Sequence, residues 1–453
     1  MKFGGSCLKN AACFDRIVEI VKAENEPIVL IVSAIYGVTD LLVKGLEFAL
    51  DSEKNVKTTV RKIANIHEKL VLECIDTDEI AQKTRITLET KIIKLKRLLY
   101  GISYTEEINP PIKANILSYG ERLSALLVAG ILKSRGARSI ALESDNIGIL
   151  TDCSFENATA ILPTVKTKLQ ETLVPHLGEG YIPVITGFFG HTEEGKITTF
   201  GRNGSDYSAA VVAYGLGARV LDIWKDVDGF MTADPKIVKN VQRIDKLSYY
   251  EAAELSYFGA RILHPRTVEP LLHSGIKLCI RNMHNPESHT LVQVNGYEKS
   301  TIIKSVTCNE DIAALKIRGP GVGYKSGIIA SIGKKLSELD VNIYSVITSQ
   351  TCINLLIDYK DVQRSYEALK SLSGGIIEKI DVENDIALVA VVGDGLLKTR
   401  GLGGKIFSAF AEKKINVEMI SSGASDVATY FIVKKEDSKT ALNAIHSNIF
   451  DNN

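Results

Sequence analysis

The chain has 453 residues, 45% of them hydrophobic and 24% charged, and its 54 basic side chains balance its 54 acidic ones. The length suggests about two to four domains, and the apolar share can fill real cores, which excludes disorder as the default state. A formal net charge of +0 excludes a whole-chain pull toward nucleic acid or an anionic membrane.

Seven cysteines are scattered with no CxxC pair, and Cys7, Cys13 and Cys279 fall at apolar or helical positions. Free, mostly buried thiols in reducing surroundings are expected. The eight histidines make no HExxH or similar spacing, which argues against structural zinc. The longest apolar runs, such as 27–34, are too short to span a bilayer. Met1-Lys2 leads at once to Phe3-Gly4-Gly5, which is not a signal-peptide pattern. A cytoplasmic location is therefore expected.

In chain order, 14–23 has helical spacing in Ile17, Val18 and Val21, and 28–33 is a β-rich run suited to a buried strand. This alternation predicts an α/β core with helices on both faces of a sheet. From about 61 to 100, Ile63, Ile66 and Leu70, then Ile86, Ile92, Leu95, Leu98 and Leu99, predict long amphipathic helices inserted beside that sheet. The α/β pattern resumes with a helix over 122–132, strands over 139–143 and 181–186, and a polar hairpin over 191–199. A helix follows over 207–214, then a strand over 220–224 and a helix over 247–257. Ser248 with Glu251 three positions later fits a capping box.

Beyond about residue 289 the order strand, glycine-rich turn, helix, strand, strand occurs twice. The first copy has strands at 312–317, 341–346 and 353–359 around a helix at 325–339. The second has strands at 386–392, 417–420 and 429–433 around a helix at 406–413. Asn342 aligns with Asn416, Ile332 with Ile406 and Leu336 with Phe410, each 74 positions apart. Neither unit can bury its sheet alone, so two small α+β modules packed together are expected.

No Walker A loop or dinucleotide fingerprint is present. Glycine clusters stand instead at the ends of expected strands: Gly4-Gly5, the 187–190 run, and Gly201-Arg202-Asn203-Gly204-Ser205-Asp206. In an open α/β sheet, ligands bind outside the carboxyl ends of strands, where glycine lets backbone N–H groups approach phosphate oxygens. A tight turn explains any one cluster as well. Lys2, beside a flexible glycine pair, can set its ammonium against a transferring phosphoryl group, or it can be a frayed terminal lysine. The acidic loop Asp226-Val227-Asp228-Gly229-Phe230-Met231-Thr232-Ala233-Asp234-Pro235 suits metal waters or a nucleotide, and a solvated turn almost equally.

Together these pieces resemble the aspartate kinases of the amino-acid kinase family, nearly end to end. The matching segments are KFGGS from Lys2, SAIYGVT from Ser33, Gly120-Glu121-Arg122, GRNGSD from Gly201, DVDGFMTADP from Asp226 and EAAELSYFGARILHP from Glu251. The resemblance implies an open, mostly parallel sheet sandwiched by helices, followed by two ferredoxin-like α+β ACT domains. The implied domains are a catalytic one over 1–295, a first ACT domain over 312–384, and a second, discontinuous one built from 299–311 plus 385–453, with a strand near 301–307. The implied reaction is ATP- and Mg²⁺-dependent phosphorylation of the side-chain carboxylate of L-aspartate. That carboxylate is already ionised near neutral pH and needs no general base, so the enzyme must offset phosphoryl charge and align the reactants.

By the same resemblance, Lys2 and Asp206 are catalytic, and Lys2, Gly4, Gly5, Ser6 and Ser33 handle phosphate. Ser33, Thr39, Glu121, Arg202 and Ser205 hold aspartate, with Arg202 on the α-carboxylate and Glu121 on the α-ammonium. Asp226, Phe230, Asp234 and Arg261 line the nucleotide pocket, and no protein ligand to the metal is assigned. Gly323, Tyr324, Asn342, Ile343, Val346 and Ser349 form an effector site for lysine or threonine, and ACT pairing implies at least a homodimer. Four departures stand out. Lys225 replaces a usual threonine, Arg261 a usual lysine and Asn203 a common glycine, the last tolerable where the backbone is left-handed or polar-lined. Tyr344 stands where lysine-sensing relatives often carry an acid.

Overall fold

The computed structural model describes residues 1–201, 203–260, 262–294, 302–372, 374 and 376–451. The expectations for Arg202, Arg261, the 295–301 segment with its strand start at Thr301, and the last two residues lie outside the described residues. Contacts group the chain into two units. One comprises Met1–Phe230, Arg243–Ala253 and Arg261–Gly296, the other Met231–Gln242, Glu254–Ala260 and Tyr297–Asn453.

The first unit opens with β1 (Lys2–Phe3), α1 (Ala11–Lys22) and β2 (Leu30–Val32). Helix α1 is capped by Asn10, whose side chain accepts the Cys13 N–H, and buries Phe14, Ile17, Val18 and Val21 along one stripe. Four helices follow: α2 (Val38–Asp51), α3 (Glu53–Cys74), α4 (Asp78–Thr105) and α5 (Pro110–Ser134). The helical region is wider than the 61–100 expectation, and α5 is one helix rather than a short 122–132 segment. Its start was hidden by Pro110, which sits in the first turn where no intrahelical N–H is lost, while Asn109 accepts the Ile112 N–H. Val56, Val60, Ile63 and Leu70 of α3 share a core with Leu88, Leu95 and Leu99 of α4. Each such side chain contributes about 1.5–3 kcal/mol of burial.

Next come β3 (Ser139–Leu142), α6 (Leu162–Gly178), β4 (Ile182–Thr186), β5 (Phe189–His191), β6 (Ile197–Thr199), α7 (Gly204–Leu216) and β7 (Val220–Lys225). Then follow β8 (Lys246–Ser248), α8 (Tyr249–Tyr257), β9 (Lys277–Asn282) and β10 (His289–Gln293). The strands of the main sheet run in the order β3-β4-β2-β1-β7-β9-β10-β8. Pairing is parallel from β3 to β9, with β10 antiparallel to β9. The expected helix at 247–257 is in fact a strand end followed by a helix. The capping box stands at the junction: Ser248 N–H donates to Glu251 at 2.7 Å, and Glu251 N–H donates to the Ser248 hydroxyl at 3.1 Å.

The second unit contains β11 (Ser305–Asn309), β12 (Ile312–Arg318), α9 (Ile328–Glu338), β13 (Ile343–Thr348), β14 (Cys352–Asp358), α10 (Val362–Lys370) and β15 (Lys379–Glu383). The second copy supplies β16 (Ile386–Val392), α11 (Leu402–Glu412), β17 (Met419–Ser422), β18 (Ala428–Lys434) and α12 (Ser438–His446). One sheet has the order β13-β14-β12-β15, the other β17-β18-β16-β11. Strand β11 thus occupies in the second sheet the place β15 takes in the first. The 74-residue offset of the sequence holds from β12/β16 through α9/α11 and becomes 76 by β14/β18. Matching left-handed residues, Gly327 with Gly401 and Asp340 with Lys414, bracket the first helix of each copy. Among the described residues no helix is long and apolar enough to cross a membrane, and all seven cysteines are unpaired.

Candidate active site

The site begins with register. Lys2 of β1 lies opposite Ile223 of β7, and Phe3 opposite Trp224. Side chains alternate along a strand, so Lys2, Ile223 and Lys225 share one face of the sheet. Phe3 and Trp224 share the other, where their rings stack with centroids 6.1 Å apart. Lys2 is therefore neither frayed nor exposed; it is 5% accessible.

Helix α7 supplies the counter-charge. Asn203, with φ +61° and ψ +19°, forms its N-cap in the left-handed conformation that Asn tolerates. Gly204 follows because a Cβ there would lie 2.7 Å from that of Phe200. Asp206, in the first turn of α7, then faces both lysines. Lys2 Nζ is 2.5 Å from Oδ1 and Lys225 Nζ is 3.0 Å from Oδ2. Burial opposes ionisation of Asp206, but the two ammonium groups outweigh it and hold the carboxyl well below the usual range. Lys225 is held below its ordinary value by burial, with Asp206 opposing and Lys2 adding to the shift.

These groups line a cavity of about 280 Å³ together with Gly4, Gly5, Ser6, Ser33, Asn203, Ser205, Asp226, Val227 and Ile262. The cavity lies at the carboxyl ends of β1, β2 and β7, beside the N-terminus of α7, where backbone donors and the helix dipole favour an anion. Gly4 and Gly5 keep its floor open: a Cβ on Gly4 would approach Lys2 Nζ to 3.4 Å, and one on Gly5 would approach the Ala34 carbonyl to 3.3 Å.

Glu121 comes from the middle of α5. Its Oε1 accepts the Ala34 N–H at 3.0 Å, and the Ser205 side chain also bonds it. Burial pushes its carboxyl up from 4.5 to about 8, and its hydrogen bonds and the charge of Lys2 oppose that shift only in part. Helix α5 can come so near β2 because residue 120 is glycine, whose Cβ would stand 2.7 Å from that of Ala34. Arg122 of the same motif serves the frame: it grips Asp145 with two nitrogens at 2.9 and 3.1 Å, pairs with Glu143, and lies over the Phe189 ring.

Lys2, Gly4, Gly5, Ser6, Ser33, Ser205, Asp206 and Asp226 are thus brought together around one cavity, with Glu121 bonded to its rim. Thr39 is exposed in the first turn of α2 and does not line the cavity. The Phe230 side chain is fully buried, and its N–H donates to the Thr290 hydroxyl. Asp234 is exposed and belongs to the second unit, where it accepts the Lys236 N–H. Two residues gain weight from the fold. Lys225 reads in sequence only as a departure, since a strand-final lysine is common and its partner is 19 positions away. His264 has its pKa pushed down to about 4 by burial, with Asp206 opposing, so it is neutral at physiological pH. Among the described residues no group of three or more His, Cys, Asp or Glu could hold a metal ion.

In the second unit, Gly323 and Ser349 meet: the Gly323 N–H donates to the Gln350 carbonyl at 3.2 Å, and a Cβ on Gly323 would lie 1.8 Å from the Ser349 carbonyl oxygen. Ile343 and Val346 lie on the edge strand β13, and Tyr324 is exposed. Asn342 donates to the Tyr257 hydroxyl at 3.2 Å, and the Tyr344 ring lies 4.9 Å from that of Tyr257, tilted by 50°, while its hydroxyl donates to Asp358 at 3.3 Å.

Similarity to known proteins follows the same division. Residues 389–449 and 307–371 each match an ACT domain. The chain is 30% identical, over its whole length, to the bifunctional aspartokinase/homoserine dehydrogenase of Buchnera aphidicola, of which it covers 56%. It spans about half the length of the first curated relatives it matches. Among solved structures, E. coli aspartokinase III in complex with aspartate and ADP (R-state) matches with a TM-score of 0.87 and 28% identity over 99% of both chains. The same enzyme with lysine and aspartate (T-state) matches at 0.80 and 27%, over 99% of this chain and 98% of that one. Residues 1–282 match the amino acid kinase family, and with that span covering more than half of its length the chain belongs to this family.

Proposed function

We propose that this chain transfers the terminal phosphoryl group of ATP to the side-chain carboxylate of L-aspartate, giving 4-phospho-L-aspartate and ADP. The observation that carries the reading is the Lys2–Asp206–Lys225 cluster on the wall of a glycine-floored cavity at the carboxyl ends of parallel strands. The acceptor is taken from the solved relative that holds aspartate and ADP.

One carboxylate oxygen of aspartate attacks the γ-phosphorus, an O–P bond forms, and the bond from that phosphorus to the β-phosphate oxygen breaks, releasing ADP. No proton moves. The site must therefore supply alignment and positive charge. Lys2, with Gly4, Gly5, Ser6 and Ser33, cradles the phosphoryl group, and Asp206 holds the lysine in place. Glu121 and Ser205 hold aspartate, with Thr39 and Arg202 assigned to it by the family motifs alone, while Asp226 serves the nucleotide, with Arg261 assigned to it by the same motifs. Mg²⁺ would ride on the ATP phosphates and neutralise part of their charge.

Residues 312–384 and 299–311 with 385–453 act as two ACT domains that sense an end-product amino acid and join copies of the chain as at least a homodimer. The exchange of β11 for the fourth strand supports the discontinuous second domain. Lysine is the effector we favour, because a solved relative binds it. The test is ATP-dependent formation of a hydroxylamine-trapped acyl phosphate across a panel of carboxylate acceptors. Aspartate should give the signal. Signal with another acceptor and none with aspartate under saturating ATP overturns the reading.

A further inference from the structure

Asp206 carries one negative charge and is bracketed by two ammonium groups. Lys2 alone, at 2.5 Å, already neutralises it. The second cation, Lys225, therefore has no structural debt to settle there, and burying an uncompensated charge is costly. Lys225 also lines the cavity, and its side chain is 16% exposed against 1% for Asp206, so it is open on the cavity side. Among the described lining residues, Lys2 and Lys225 face the inner wall with Asp206 between them. The other acid, Asp226, is exposed and lies 3.8 Å from Lys9. The inner wall is thus one positive charge in excess, and an anion would complete it.

We propose that Lys225 is a second phosphate-contacting cation of this site, sharing with Lys2 the charge of the γ-phosphoryl group across the Asp206 bridge. This rests on the kinase reading above but not on the identity of the acceptor. The register explains how one carboxylate can serve both: Lys225 stands two residues beyond the partner of Lys2 on the same sheet face. The ammoniums thereby flank the carboxylate, and each keeps donors free for phosphoryl oxygens. Threonine, usual here in the resembling family, could not supply that charge.

The experiment is equilibrium titration of the full chain with Mg²⁺-ADP and with a non-hydrolysable Mg²⁺-ATP analogue, comparing wild type, Lys225→Met and Lys225→Arg. Lys225→Met should weaken the analogue about tenfold or more, the size of a charge-assisted contact, while ADP changes less than about threefold. Lys225→Arg should keep the analogue within about threefold of wild type, since the charge is retained. Equal weakening of both nucleotides, as a purely structural lysine would give, overturns the proposal, as does no weakening of either. Thermal melts certify each fold, and Lys225→Thr repeats the comparison if the methionine variant melts too low. Wild type that binds both nucleotides as expected but forms no aspartyl hydroxamate defeats the aspartate reading and leaves the Lys225 comparison standing.

Discussion

Glu121 shows how far a single residue's environment can depart from its chemistry in water. Its carboxyl is buried, hydrogen-bonded to Ala34 and Ser205, and pushed up to about 8. Between the unfolded value of about 4.3 and about 8, the native site binds a proton that the unfolded chain has released, so stability falls as pH rises through that window. Glu121→Gln should remove this slope: in denaturant melts at pH 5 and pH 8, wild type should lose stability relative to the variant. An α-ammonium placed beside the carboxylate would reverse the shift and expel the proton. Calorimetry of aspartate binding at pH 7 in buffers of different ionisation enthalpy should therefore show proton release by wild type and none by Glu121→Gln. A binding enthalpy indifferent to the buffer in wild type would separate Glu121 from the substrate ammonium. Asp206 shows the opposite case. It is buried as deeply, yet two cations keep it ionised.

At the scale of elements, the site depends on close approaches that only small residues permit. Helix α5 meets the end of β2 through Gly120, and α7 turns out of the 187–204 region through Gly204. Gly120→Ala should push Ala34 aside, lengthening its bond to Glu121. The expected cost is about 1–3 kcal/mol of stability, as for overpacking in a filled core. It should also raise KM for aspartate with a smaller effect on nucleotide binding. Denaturant melts and initial-rate kinetics on one preparation check both, and an unchanged KM would show that α5 does not set the acceptor pocket. Phe188 is a further sign of constraint. It is held at φ +75°, where a side chain is disfavoured, with its N–H bonded to the Ser208 hydroxyl.

At the scale of the molecule, the second unit takes in Glu254–Ala260, which includes the last turn of α8. Tyr257, at the end of α8, bonds Asn342 and lies against the tilted ring of Tyr344, next to the proposed effector strand. Asn342 is thus engaged with the protein itself, and Tyr344 brings no charge for a lysine side chain. Tyr257→Phe, which removes the bond and keeps the ring, should shift the midpoint of inhibition by lysine severalfold, the range of a coupling of about 1–3 kcal/mol, with kcat in its absence unchanged. Superimposable inhibition curves would remove Tyr257 from the response.

Periodicity and turn chemistry are local, and what they govern was readable in the chain itself. The α1 stripe and the Ser248–Glu251 capping box follow from neighbours within a few positions, and the duplicated C-terminal unit from a pattern that returns 74 residues later. The family motifs, too, announced the loops that meet around the cavity. Other features depend on partners far apart along the chain. The 61–100 reading fell short because the Lys- and Glu-rich turns and Pro110 mask where helices join. Strands β9 and β10 escaped because short runs such as 277–282 gain their stability from sheet neighbours, not from their own pattern. The place of Lys225 beside Asp206, and the proton on Glu121, were decided by tertiary structure alone. Strand register and helix approach set those distances, and the electrostatic energy of a buried charge depends on distance and burial rather than on the order of residues.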